Sequence, residues 1–447
     1  MNKNIYLSYF YRILILTIVL NLNNTSLAIP SFARQTGMSC ANCHTIFPEL
    51  NAFGRQFKLT GYTLVASEST QAKSDSETVI LKIPNSTQLS AMMIASLTYT
   101  NKDQPFTQNT NVSFPQQFGL FYSGEITPKI GSFIQFTYSD QSGSIGIDNS
   151  ELRFADQTEF ASQPFIYGVI INNNPSMQDV WNSTPAWRFP YTSSSTSPTP
   201  TAAALIEGGL AQSVAGLGVY GYWNDLIYAE ISLYRSAQQG SHNPPDTTST
   251  GIVKSIAPYW RLALQRQWED IYLEIGTFGL SAQLFPMGIS GLTDQYTDVG
   301  FDVNLEKTTL SGNMLSVRGS LINETRTLSG TFNNGGAANS SGNLNSLKLT
   351  ASYYLHQQIG FTAGYFSVTG SADPVIYAPA SVTGSNNGMP DSNGLIFEFD
   401  YLPWLNTKLS VQYIAYNKFN GDSSNYDGQG RNASDNNSIY LSTWVAF

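Results

Sequence analysis

Charged residues make up only 12% of the chain, about half the share found in ordinary soluble domains. No block of Lys and Arg stands anywhere and the formal net charge is −9. Without a basic surface to neutralise phosphates, nucleic acid is not an expected partner. There are three histidines and two cysteines, too few for a convincing triad or a multi-ligand metal cluster, so hydrolytic and transferase catalysis have little support. Past the first residues, no apolar stretch approaches the roughly 20 residues of a spanning helix. A membrane location therefore has to rest on strands. What the chain has in quantity is aromatic residues, at 13%, and 36 glycines, a mixture that suits strands and tight turns.

The N-terminus carries Lys3 and Arg12, an apolar run from Ile13 to Leu20, and polar residues ending in Ser26-Leu27-Ala28. This is the pattern of a secretory signal, with cleavage expected after Ala28. The apolar run is too short for a membrane anchor.

Both cysteines fall in one motif, Cys40-Ala41-Asn42-Cys43-His44. Two thiols spaced by two residues can add to the two vinyl groups of one haem, and the adjacent imidazole is then placed to ligate the iron. The expected cofactor is therefore one covalent c-type haem, held by Cys40, Cys43 and His44, with His44 as the metal ligand. Export agrees, since such haem is attached outside the cytoplasm. The rival readings are a structural disulfide, a thioredoxin-like pair and half a zinc site. A thioredoxin-like pair needs a βαβ setting that is missing, and a zinc site needs two more ligands nearby, whereas His242 and His356 lie far along the chain. Phe32, Phe47, Leu50, Phe53, Phe57, Leu59 and Tyr62 could wall a haem pocket, or pack on the rest of the protein. Arg34, Arg55 or Lys58 could pair with propionates, or be solvated. The sixth iron ligand stays open among Met38, Met92, Met93, His356 and water.

Residues 64–86 read as a polar connector. From about residue 87 to the end, apolar residues recur at period two. Val299, Phe301, Val303 and Leu305 alternate with Asp298, Gly300, Asp302, Asn304 and Glu306; Leu395, Phe397, Phe399 and Tyr401 form another such row, and Leu409, Val411, Tyr413 and Ala415 a third. Each strand thus has one apolar face and one mostly polar face. Period alone does not separate a soluble sandwich from a membrane barrel; connection lengths do. About sixteen strands are expected, as an even number and closure require. Their starts fall near residues 87, 116, 129, 147, 163, 203, 226, 257, 270, 295, 313, 345, 359, 393, 407 and 436. Tight connections such as Thr127-Pro128-Lys129, Trp268-Glu269-Asp270 and Gln357-Gln358 alternate with long Ser, Thr, Asn, Gly and Pro stretches at 172–202, 238–256, 329–343, 370–392 and 419–435. The final strand, Tyr440 to Phe447, ends on an aromatic, as in the insertion signal of bacterial outer-membrane proteins. The fold expected is mainly β: a roughly 16-stranded antiparallel outer-membrane barrel over residues 87–447. It follows a signal peptide at 1–28, a short, partly helical haem segment at 29–63 and the connector at 64–86. Both ends should face the periplasm and the long loops the exterior, with the haem segment under or inside the barrel mouth.

The stretch Ile29 to Thr63, with Phe-Ala-Arg-Gln-Thr-Gly before the motif and Phe53-Gly54-Arg55 through Tyr62-Thr63 after it, resembles the fused monohaem cytochrome and porin proteins of iron-oxidising bacteria. A second patch, Asn172 to Pro175 and Trp181 to Trp187, is similar to that family; elsewhere the match is one of architecture. The resemblance implies electron transfer from extracellular Fe(II), through a haem on Cys40, Cys43 and His44, to a soluble periplasmic carrier. It carries haem attachment more firmly than the iron substrate, and Fe(II) oxidase activity stays open. The loops placed outside hold Asp103, Asp140, Asp148, Asp179, Asp246, Asp373, Asp391, Asp422, Asp427 and Asp435 against Lys102, Arg188, Lys254 and Arg431. Such a surface would draw in cations, although outer loops are also acidic for solubility and for binding divalent ions. Two other functions remain: a diffusion porin with a haem-bearing structural plug, and an electron outlet to an external acceptor.

Overall fold

The structure, a computed structural model, describes residues 30–64, 88–105, 107–237, 251–288 and 290–447. The signal peptide at 1–28, nearly all of the connector at 64–86, His242 and Asp246 lie outside the described residues.

Three short helices come first: α1 (Ser31–Thr36), α2 (Cys40–Cys43) and α3 (Ala52–Leu59). Pro30 precedes α1, and Gly37 ends it in the left-handed region at φ 68°, where glycine meets no Cβ penalty. Asn51 caps α3, its side chain accepting from the Gly54 N–H at 3.0 Å, which satisfies one of the free donors of the first turn.

The strands follow: β1 (Leu89–Thr100), β2 (Asn111–Thr127), β3 (Ile130–Ser139), β4 (Ser144–Phe160), β5 (Gln163–Asn172), β6 (Val214–Trp223), β7 (Ile227–Ser236), β8 (Ile252–Val253), β9 (Ala257–Trp268), β10 (Ile271–Phe285), β11 (Asp294–Thr308), β12 (Met314–Thr327), β13 (Ser341–Leu355), β14 (Ile359–Gly370), β15 (Ser392–Trp404), β16 (Thr407–Lys418) and β17 (Ser438–Ala446). A one-turn helix, α4 (Ser329–Asn333), sits between β12 and β13. Consecutive strands pair antiparallel. β8 pairs only two residues against the end of β10, and β7 pairs directly with β9, so the wall has sixteen staves. β1 pairs with both β2 and β17, from Met92 opposite Ala446 to Thr100 opposite Ser438. The ring is closed and no edge is left.

The faces divide as the alternation requires. On β15, Leu395, Phe397 and Phe399 are 39%, 45% and 39% exposed, while Ile396, Glu398 and Asp400 between them are at most 6% exposed. Half-exposed Phe and Leu all round a closed barrel need lipid to cover them, and a closed barrel is the β-structure that satisfies every backbone group in a bilayer. This is a membrane-spanning barrel of the outer-membrane type. The tight turns and the two ends of the barrel sequence, Leu89 and Ala446, share one rim, and the long loops share the other.

Strand starts agree with the period-two reading within a few residues, except one. The strand expected near residue 203 begins at Val214. Ala202 to Leu210 form an apolar run that is not a strand. It belongs to a connection, residues 173–213, that turns into the barrel instead of standing outside it. There Ala202, Ala204, Ile206 and Leu210 pack on inward residues of the wall, including Tyr259, Phe278, Leu280, Ile322 and Leu344.

Candidate functional site

The N-terminal segment sits in the barrel at the tight-turn rim. α1 lies along β2, with Ser31 Oγ 2.5 Å from Ser123 Oγ and the Gln35 side chain exchanging bonds with the Ser123 carbonyl (2.8 Å) and the Glu125 N–H (3.0 Å). α2 carries both cysteines in one helical turn, and the His44 N–H closes it by donating to the Cys40 carbonyl at 2.9 Å. α3 presses onto α2. A Cβ on Gly54 would stand 2.1 Å from the Cys43 carbonyl oxygen, so only glycine permits this approach. Asn51 fixes the same contact, its N–H donating to the Cys43 carbonyl (3.0 Å) and its amide to the Ala41 carbonyl (3.2 Å).

Within this frame Cys40 and Cys43 are free thiols, each half-buried. Burial pushes both up, Cys43 to about 11 with the neighbouring Cys40 adding to the shift. Burial also drives the His44 imidazole down to about 4, against the carbonyls of Pro48 and Glu49, which raise it. The ring is therefore neutral near pH 7, the form that ligates a metal. Its Nδ1 is buried without a well-aligned hydrogen bond; a carbonyl facing that nitrogen is the usual way the other ring nitrogen is left for iron. Two thiols on one turn and a neutral imidazole next in the chain fit the two thioether bonds and one axial bond of a c-type haem. Among the described residues, no group of three or more His, Cys, Asp and Glu is arranged for a metal ion.

The residues around the motif have been distributed differently from a simple pocket wall. Phe47 meets the His44 ring edge-on at 5.4 Å and Trp444 at 4.7 Å. Phe32, Phe57 and Tyr62 pack on one another and, through Tyr62, on Phe133 of the wall. Leu59 is buried among Ile166, Tyr220 and Tyr272, Leu50 bonds through its N–H to the inward loop's Asn182, and Phe53 is 38% exposed. The cations considered for propionates are engaged elsewhere. Arg55 forks onto Glu306 at 2.8 and 3.1 Å and lies 4.1 Å over the Tyr272 ring. Lys58 donates to the carbonyls of Met177 and Asp179, at 2.8 Å each, and lies 4.8 Å from the Trp187 ring. Arg34 donates to the Leu89 carbonyl.

No pattern along the chain signals the network that seats the segment. Glu49, 1% exposed, receives Arg318 at 2.7 Å and the hydroxyls of Tyr191 (2.9 Å) and Tyr354. Arg318 also reaches Glu306 at 3.3 Å. One chain of charges thus joins plug and wall, and the Tyr191 hydroxyl ties the inward loop to it. The loop adds its own anchor: Asp179 lies 3.5 Å from Arg261, which bonds Asp302 (2.8 Å) and Glu274 (3.1 Å), and Trp181 donates to Tyr272 at 2.7 Å. Asp179 and Arg188, read as exterior charges, are therefore interior ones. Asp373, Asp427 and Arg431 are buried as well, and Asp435 and Asp391 pair with Lys102 and Lys418. Beside α3, a cavity of about 560 Å³ opens at the rim, lined in part by Gln56, Tyr222, Asn224 and Arg266.

No family model matches the sequence, and no curated protein sequence matches it. Among solved structures, the chain is similar to OmpF of Salmonella typhi in complex with daunomycin, at 11% identity over 82% of this chain and 100% of that one, with a TM-score of 0.46. An anion-selective porin from Comamonas acidovorans matches at 11% identity over 80% and 99%, TM-score 0.44. In-vitro folded OmpT of Vibrio cholerae matches at 11% over 83% and 100%, TM-score 0.43.

Proposed function

We propose that this outer-membrane barrel is an electron-transfer protein. Cys40 and Cys43 bind one c-type haem covalently, His44 ligates its iron, and electrons pass from an extracellular donor, Fe(II), to a soluble periplasmic carrier. When bound, the haem supplies a one-electron couple. What supports the reading is that the only two cysteines of the chain, with His44, stand on a segment seated in the barrel. Tight turns face the periplasm in such barrels, so the half-buried thiols lie on the side from which a carrier would come. The residues around the motif hold it still: Gly54 and Asn51 fix α3 against Cys43, and Glu49 and Arg55 tie the segment to the wall.

A diffusion porin with a haem-bearing structural plug is the second reading, and the porin-like barrel with its cavity beside α3 favours it. An electron outlet uses the same site in reverse.

The test is to express the chain in a host that matures c-type haem, purify it in detergent, and add Fe(II) without oxygen. Haem that survives denaturation, is lost in Cys40→Ala and Cys43→Ala, and is rapidly reduced by Fe(II) supports the proposal. Haem that dithionite reduces and Fe(II) does not, with open-channel conductance in a planar bilayer, supports the porin reading. Absence of covalent haem removes both.

A further inference from the structure

We propose that His356 is the second protein ligand to the iron, binding the face opposite His44; this rests on the haem reading above. The two histidines are far apart in sequence, and the barrel brings them to one rim. His356 lies in the tight turn between β13 and β14, and the next residue touches the motif: Gln357 Nε2 donates to the His44 carbonyl at 3.2 Å and to the Ala41 carbonyl at 3.4 Å. Consecutive Cα atoms are about 3.8 Å apart, so the His356 backbone stands one residue from a side chain already in contact with two carbonyls of the Cys40–His44 motif.

The turn is of a kind that recurs at this rim, where Ala161-Ser162 and Asn224-Asp225 are also consecutive left-handed residues. His356 has φ 47° and Gln357 φ 57°, both left-handed, in the three-residue connection between Leu355 and Ile359, at positions that ordinarily favour Asn or Gly. Histidine tolerates this region better than most residues, and glutamine does not share that tolerance. The Gln357 side chain is engaged on the motif carbonyls. His356, at the same rim, is exposed and has an imidazole free of the barrel interior.

The competing ligands are disfavoured by where they lie. Met93 is on the outward face of β1, between inward Met92 and Ile94. Met92 is 6% exposed and packed with Ile94, Trp444 and Phe47, its side chain lying against Gly119. Met38 is two residues before Cys40, with its N–H held by Thr36 Oγ1 at 3.2 Å, so the short link to the motif limits the reach of its side chain. Among the described residues, His44 and His356 are the histidines. The step is ligation only: an imidazole nitrogen forms a bond to iron, a water leaves, and no electron changes hands.

The experiment uses the full matured chain in detergent. Wild type should give the ferric low-spin spectrum of bis-imidazole haem, and its ferrous form should resist carbon monoxide. His356→Asn keeps a residue that accepts the left-handed turn but removes the imidazole. It should turn the haem high-spin, bind carbon monoxide, and regain the low-spin spectrum on adding free imidazole, with the barrel still folded by gel mobility before and after heating. Haem that stays low-spin in His356→Asn, or a wild type that is already high-spin, overturns the assignment while leaving the haem itself established. A switch to high spin in Met38→Leu or Met92→Leu overturns it as well. Absence of covalent haem on a denaturing gel overturns this assignment together with the reading beneath it.

Discussion

Replacing Glu306 by Gln should release the N-terminal segment from the barrel without unfolding the wall. The Glu306 carboxylate takes two bonds from Arg55, at 2.8 and 3.1 Å, and one from Arg318, at 3.3 Å. After the substitution Arg318 keeps Glu49 at 2.7 Å, so the loss falls on Arg55. That guanidinium is 4% exposed and keeps the Leu50 carbonyl at 3.1 Å and the face of Tyr272. Leaving one partner of a buried pair uncompensated costs about 3–5 kcal/mol, and the ring recovers roughly 0.5–2 of that. A net loss of about 3 kcal/mol corresponds to roughly 100-fold in the population of the undocked segment. Hydrogen exchange of the α3 amides, followed by mass spectrometry in detergent, should accelerate by that factor while β12–β15 exchange as before. Arg55→Met combined with Glu306→Gln should be milder than Glu306→Gln alone, because no unpaired charge is left on α3. Exchange within about threefold of wild type in the single variant would refute the idea that this pair holds the segment.

The remaining predictions concern pH, packing and the membrane face. Burial lowers the Lys58 ammonium from its ordinary 10.5 to about 8, despite the neighbouring carboxylates Glu151, Asp179 and Glu230. The undocked segment therefore binds the extra proton between those values, so docking should strengthen as pH rises from 8 to 10.5, by about 3 kcal/mol at most. Exchange of α3, corrected for intrinsic rates, should show this, and Lys58→Met should abolish it. Gly54→Ala must push α3 off the Cys43 carbonyl and should lower the fraction of chains that retain haem on a denaturing gel; an unchanged fraction would count against the tight α2–α3 contact. Phe397→Arg, on the lipid side of β15, should destabilise the barrel by about 2–4 kcal/mol if it lies near the midplane, measured by urea titration in vesicles. Leu210→Ala removes a side chain 1% exposed and should cost about 2–5 kcal/mol of inward-loop packing, read as increased single-channel conductance.

The barrel was legible because its information is local. Each wall strand repeats at period two, and a slip of one residue would turn Phe397 and Phe399 into the lumen and Glu398 and Asp400 into lipid, so register and face follow from the row itself. The grouping of Cys40, Cys43 and His44 on one turn was legible for the same reason, since they are adjacent in sequence. What seats the segment was not. Glu49 meets Arg318, Arg55 meets Glu306 and Gln357 meets His44 only through the closed ring, and no spacing along the chain reports those pairs.

The inward loop left one mark that local reading passed over. On β10 the lumen-facing residues run Tyr272, Glu274, Gly276, Phe278, Leu280, Ala282 and Leu284, polar toward the tight-turn rim and apolar toward the long loops. A water-filled lumen gives inward Phe, Leu and Ala nothing to pack on, because apolar surface facing water is unfavourable by roughly 25 cal/mol per Å². The apolar upper half of that face therefore requires a cover. The nearest apolar stretch without a period-two partner is Ala202 to Leu210, inside a connection far longer than a hairpin needs. Read together, the one-sided change along β10 and the unpaired apolar run imply an interior loop rather than a strand starting at residue 203. The same logic separates Asp179 and Arg188 from the acidic exterior: their loop is consumed in filling the barrel, so their charges balance Arg261 and Glu207 instead of steering ions from outside.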